Sequence, residues 1–150
     1  SFNHIWVTFR LAEVYLNYAE AVLNYTGSGY TKPEGLTYTA MEAINFVRKR
    51  AKQPNIAEDL DYEAFKKKYE NERLVELAFE GHRFYDLRRW KKASEYASTI
   101  RGMRIDKAED GTLSYTPQVL ETRKWEDKWN FFPSPQKDAL VCGYKQPEGW

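Results

Sequence analysis

A chain of 150 residues with 23 Lys plus Arg against 22 Asp plus Glu carries a formal charge of +1, which excludes the cationic excess on which nucleic-acid binders depend. Leu, Ile, Val and Phe number only 31, but 5 Trp and 11 Tyr add apolar surface, so the composition is that of a folded chain and not a disordered one. The lone Cys142 excludes an internal disulfide and a cysteine-pair zinc site, and no apolar run approaches the roughly 20 residues of a membrane-spanning helix.

The chain opens on Ser1-Phe2-Asn3-His4, which has neither the basic nor the hydrophobic region of a signal peptide. His4 belongs to no recognisable motif. Ile5, Trp6, Val7 and Phe9 are apolar from the outset, as expected of a segment taken from something longer, and residues 1–150 read as a single domain. A first helix is predicted from about Phe9 to Tyr25, where Leu11, Tyr15, Tyr18, Val22 and Tyr25 form one stripe at steps of four and three. Gly27-Ser28-Gly29 stops it. After a loop holding Pro33 and Gly35, Thr39 with Glu42 has capping-box spacing and starts a second helix. Its inner stripe is Ala40, Ile44, Val47 and Ala51, and Arg48-Lys49-Arg50 places cations at its C-terminus. Together the two form a helical hairpin loosely similar to a tetratricopeptide repeat, with a longer loop than the standard one.

Asp61 is placed to cap a long helix from Tyr62 to Glu80 that Gly81 interrupts or ends. Another helix is expected over Arg83 to Ala97, with Phe84, Leu87, Trp90, Ala93 and Ala97 inward. Alternation then replaces helical spacing: Met103 and Ile105, an Asp110-Gly111 turn, then Leu113 and Tyr115 describe a hairpin. Val119 to Trp125 offers a third extended piece. Ser134 as N-cap with Pro135 at the first helical position predicts a short last helix, followed by an irregular tail. The expected fold is mainly α, with a small β-hairpin or irregular region in the C-terminal third.

The densest charge lies between Tyr69 and Arg83. Glu72, Glu76 and Glu80 fall at i, i+4 and i+8 on one helix face behind Phe65 and Tyr69. Adjacent carboxylates repel, so this ladder needs cations. A di-iron site would require Glu-x-x-His, and Glu80-Gly81-His82 has another spacing. A glycosidase pair is conceivable, although sequence fixes no distance between the carboxyls. The reading that needs least is a structural charge network of Glu72, Arg73, Glu76, Glu80 and Arg83, with Arg88 or Arg89 as further partners. Lys66-Lys67-Lys68 and the Arg88–Lys92 run read as solvated faces. No Ser–His–Asp or Cys–His arrangement and no Gly-x-Gly-x-x-Gly are present, so no catalytic residue, metal or cofactor is expected. Trp125, Trp129 and Tyr115 lie in the extended region, where flat rings with a polar edge suit stacking on sugars as well as packing.

Four blocks in order give the chain a family likeness. They are Arg10-Leu11-Ala12-Glu13-Val14-Tyr15-Leu16-Asn17-Tyr18-Ala19-Glu20-Ala21, then Ala43 to Ala51, then Glu72 to Trp90, and finally Phe132-Pro133-Ser134-Pro135-Gln136 with Gln146-Pro147-Glu148-Gly149-Trp150. In these the chain resembles the C-terminal part of the SusD/RagB family, nutrient-binding lipoproteins of glycan uptake systems. Ser134 stands where that family usually has isoleucine, and the family's lipid-bearing cysteine and repeat-rich N-terminal half are not among these residues. The resemblance implies a mostly helical fold and a non-catalytic role: holding an oligo- or polysaccharide, or another nutrient, at the outer-membrane surface over a SusC-like TonB-dependent transporter. Membrane contact would come only through a lipid anchor of the full-length protein, and no cofactor is implied. The resemblance assigns no glycan-contacting residue to this stretch. Two rival readings are a helical protein–protein interaction module and a glycoside hydrolase using the Glu72–Glu76–Glu80 face.

Overall fold

The computed structural model describes residues 8–150, so His4, Ile5, Trp6 and Val7 lie outside the described residues. Two compact units divide the chain, one ending at His82 and the other running Arg83–Trp150. The fold is mainly helical with a two-stranded antiparallel sheet, as the sequence pattern leads one to expect.

In the first unit, α1 (Leu11–Thr26) ends where Gly27 takes a left-handed φ of 67° and its N–H returns to the Leu23 carbonyl. The buried stripe of α1 is Leu16, Ala19, Val22 and Leu23, whereas Leu11 and Tyr25 are 65% and 82% exposed. The expected tyrosine stripe is therefore displaced around the helix. A tyrosine hydroxyl needs a polar partner, which favours the flank of a core over its centre. Tyr18 satisfies this by donating to the Tyr38 carbonyl at 2.7 Å and accepting from the Tyr38 N–H at 3.2 Å.

The second helix, α2 (Ala40–Arg50), begins on the capping box read from sequence: the Thr39 hydroxyl accepts from the Glu42 N–H, and the Glu42 carboxylate accepts from the Thr39 N–H. Ala40, Ala43, Ile44 and Val47 are buried, and α2 packs on α1. Ala51, expected inward, is the exposed C-cap. Beyond it Lys52 adopts φ 55° while the Gln53 N–H reaches the Arg48 carbonyl and the Lys52 N–H the Lys49 carbonyl. That pair of bonds is a Schellman closure, here with lysine at the position that glycine usually fills.

Asp61 caps α3 (Tyr62–Glu76) through the Ala64 N–H at 2.8 Å. Phe65, wholly buried, stands edge-on to Tyr30 at 5.5 Å. Gly29 lies against the same ring: a Cβ there would fall 2.2 Å from a Phe65 ring carbon. Gly27 is required by its backbone angle, Gly29 by lack of space. The helix stops at Glu76, four residues before the expected end. Phe79 (φ 65°) and Gly81 (φ 82°) are left-handed, and the Ala78 and Glu80 N–H groups close three-residue turns onto Val75 and Leu77. Glu80 thus leaves the helix instead of continuing the Glu72–Glu76 ladder.

The second unit continues from α4 (His82–Arg89), which starts at the end of the first. The helix expected to run unbroken to Ala97 is interrupted: Lys91 takes φ 55°, and the Lys92 N–H bonds to the Leu87 carbonyl in another Schellman closure. A short α5 (Ala93–Tyr96) follows. Of the side chains expected inward, Leu87 and Ala93 are buried and Phe84 is 45% exposed. Strands β1 (Thr99–Lys107) and β2 (Leu113–Thr122) form the hairpin around Asp110-Gly111, with Ile105 opposite Tyr115 and Met103 opposite Pro117. The register slips between Ile100 and Arg101, leaving Leu120 as the extra residue, and its side chain lies over Gly102. Val119–Thr122 belong to β2, so no separate third strand forms there. A 3-10 turn (Asp127–Asn130) and α6 (Gln136–Cys142) complete the unit. The cap of α6 is Pro135, one residue later than expected. Ser134 is held elsewhere, because the Gln146 side-chain amide both accepts from its N–H and donates to its carbonyl, each at 2.8 Å. Among the described residues, no helix is long and apolar enough to cross a membrane.

Candidate functional site

Two groups of side chains are concentrated enough to carry function, one in each unit. In the first unit the glutamates that follow one another along α3 meet arginines from far along the chain. The Glu72 carboxylate accepts from Arg48, whose Nε also donates to the Pro54 carbonyl at 2.6 Å. The Glu76 carboxylate accepts from Arg10 and, at 2.5 Å, from Arg50, while Arg10 also reaches the Glu76 carbonyl. Glu80, turned back by the left-handed bend, accepts from Arg10 Nε and Nη2 at 2.7–3.1 Å. Arg73, buried, donates to Asn17 at 2.7 Å. The remaining arginines of the sequence reading go elsewhere: Arg83 lies 5.1 Å over the Tyr96 ring, and Arg89 pairs with Asp86 at 2.8 Å.

The hydrogen bonds from Arg10 hold the Glu80 carboxyl below its ordinary range, and the same carboxylates hold the Arg10 guanidinium above its own. A general acid working near neutral pH needs its carboxyl raised, so Glu80 is shifted in the opposite direction. His82 Nε2 stands 3.6 Å from Glu13, and among the described residues no group of three or more His, Cys, Asp or Glu is placed to hold a metal ion. The arrangement makes chemical sense as a clamp: Arg10, just before α1, ties that helix to the end of α3.

The second group is aromatic. Trp125 and Trp129 meet edge to face at 5.8 Å with an interplanar angle of 86°, both half-buried. The four-residue spacing that joins them spans the entry into the 3-10 turn, where the Trp129 N–H bonds to the Glu126 carbonyl. Tyr115 is not brought to them. It stands on β2, 59% exposed, and makes no ring contact with either tryptophan. Beside the pair, Arg88 lies over Phe84 with its guanidinium carbon 3.5 Å from the ring centroid, 5.3 Å from Trp125 and 5.8 Å from Phe132. Phe84 and Phe132 stack at 6.0 Å. Residues on both sides of Trp129, with Lys91 and the Pro147–Gly149 tail, line an open hollow of about 740 Å³. The tail is fixed there by the Trp150 indole N–H, which donates to the Lys128 carbonyl at 3.0 Å.

The sequence reading named the tryptophans but not Arg88 or Phe132 as their neighbours. Neither had a signal: Arg88 sat in a basic run, and Phe132 belonged to a turn.

The chain matches the model of the SusD family over residues 1–150. A relative described as "SusD-like protein P25", from Formosa agariphila, is 33% identical over 137 residues, which is 88% of this chain and 20% of the relative. The chain thus spans about a fifth of the length of that curated relative. No solved structure matches.

Proposed function

The chain belongs to the SusD family, and from that premise we propose that it forms part of a non-catalytic, glycan-binding component of an outer-membrane nutrient-uptake system. In this reading the full-length protein is a surface-exposed lipoprotein held by its lipid anchor. It presents an oligo- or polysaccharide to a SusC-like TonB-dependent transporter, and these residues are its C-terminal part. The observation that carries the proposal is the family match along the whole chain. The Trp125–Trp129 pair supports it, since half-buried rings with a polar edge suit stacking on a sugar. The guanidinium-saturated glutamates support a role without turnover.

Calorimetry against a panel of oligosaccharides, run on this chain and on the full-length protein, tests the proposal. Sugar recognition needs several platforms converging on one concave surface, so the full-length protein is expected to bind and the isolated chain to bind weakly or not at all. Trp125→Ala or Trp129→Ala in the full-length protein is expected to weaken binding about tenfold, equivalent to about 1.4 kcal/mol. Release of reducing sugar would overturn the non-catalytic reading. Equal, tight binding by both proteins would place a complete site within these residues.

A second reading, a protein–protein interaction module, draws on a specific feature. Leu11, Ala12, Tyr15, Phe46 and Val47 line an apolar groove of about 390 Å³ between α1 and α2. Affinity for a protein partner with none for glycan would favour it.

A further inference from the structure

The aromatic group contains a cation with nothing to neutralise it. Arg88 makes no ion pair among the described residues. The nearby carboxylate of Asp86 is engaged by Arg89 at 2.8 Å. Nη1 of Arg88 donates to the Phe84 carbonyl at 3.0 Å, while Nε is covered by protein and has no acceptor. Ring faces attract a guanidinium through their quadrupole but take none of its in-plane N–H bonds. What remains is Nη2, which makes no hydrogen bond among the described residues and is free to donate to an anionic oxygen. Arg88 is half-buried beside these rings, so an anion reaching Nη2 is attracted more strongly than in open solvent.

We propose that Arg88 reads an acidic substituent, so that the glycan held at Trp125 and Trp129 is an anionic one, carrying carboxylate or sulfate. This inference rests on the glycan-binding reading above and refines it. Trp125 connects the two functions: it faces the Arg88 guanidinium at 5.3 Å and Trp129 at 5.8 Å. A sugar held against Trp125 therefore has this guanidinium as a neighbour, and an acidic substituent on it has a cation to meet. A neutral hydroxymethyl group would leave the cation uncompensated, whereas an anion fills it.

The test uses the full-length protein and two matched pairs of ligand, oligogalacturonate with its methyl ester and a sulfated galactan oligosaccharide with its desulfated form. The charged member of one pair is expected to bind at least tenfold more tightly, and which pair shows the preference identifies carboxylate or sulfate. Arg88→Gln is expected to bring the two members within about twofold of each other, Arg88→Lys to retain part of the preference, and 0.5 M salt to shrink it. Melting curves of both variants accompany the titrations. Equal affinity within both pairs, or binding confined to neutral glycans, overturns this inference and leaves the glycan-binding reading standing. A preference that survives Arg88→Gln, with a lowered melting temperature, makes Arg88 structural and also overturns it. Failure to bind any member, or any neutral oligosaccharide, overturns both readings together.

Discussion

The unit ending at His82 and the unit Arg83–Trp150 are similar in aromatic content but hold their rings in different ways. The buried apolar residues from Leu16 to Leu77 all lie in the first, where helical stripes close over Phe65 and Tyr69; the second buries Leu87 and Ala93. In the second, rings stay half-exposed and are fixed by directional contacts: Arg88 on Phe84, Arg83 on Tyr96, Lys128 on Trp150, and the Gln146 amide on the Ser134 backbone. Core burial contributes stability that is insensitive to direction and large per residue. Cation–ring and amide contacts contribute less each but set orientation, which a recognition surface needs. The difference separates a part whose side chains mainly support from a part whose side chains remain available.

Substitutions test that separation, beginning where the largest effect is expected. Phe65→Ala removes a wholly buried ring and leaves a cavity, so it should cost about 3–5 kcal/mol in urea unfolding. A loss below 1 kcal/mol would mean that the first unit is not held by this core. Glu76→Ala removes the carboxylate that Arg10 and Arg50 share, while Arg10 keeps Glu80. A fully buried pair loses roughly 3–5 kcal/mol when one partner goes, but Arg10 and Arg50 reach solvent, so about 2 kcal/mol is expected. The melting temperature should fall equally with and without glycan; an unchanged melt with lost ligand binding would make Glu76 functional.

Thr39→Ala, which deletes one half of the capping box, should cost about 1 kcal/mol. Acid titration gives a smaller signal at Glu80. Its folded carboxyl lies below the ordinary value of 4.5 because Arg10 donates to it, so its contribution is full above that value and is lost as pH falls through the folded one. Wild type should therefore lose more stability than Arg10→Gln between about pH 5 and 3; parallel curves would discount this bond. The smallest effect is expected on the hairpin. Met103→Thr and Tyr115→Ser change side chains that are 53% and 59% exposed, so each should stay within about 0.5 kcal/mol. A larger loss would show that the hairpin face is packed.

What the sequence disclosed was local. Thr39 with Glu42, Asp61 with Ala64 and the Asp110-Gly111 turn are bonds between residues two or three apart, and their signals lie in the same short windows. The partners of Glu72 and Glu76 stand 24 and 66 residues away, and no spacing rule connects Arg10 to α3. The helix ends expected at Glu80 and Ala97 come early, where Phe79 and Lys91 turn left-handed, because a stop signal is sought at glycine. The tryptophan pair was visible as two rings four residues apart. The cation beside it was not, since Arg88 in a basic run looks like any solvated charge until its ring neighbours are assembled.

The contact between Gly29 and Phe65 also bears on how this sequence is free to change. A methyl group at position 29 would stand 2.2 Å from the ring, so Gly29→Ala alone forces a packed aromatic to move, at a cost of about 1–3 kcal/mol. Phe65→Leu alone leaves space unfilled. Made together, the added methyl enters the volume the smaller side chain vacates, and the double variant should be less damaged than the sum of the singles. The two positions, 36 residues apart, therefore form an epistatic pair, in which the permitted residue at one site depends on the occupant of the other.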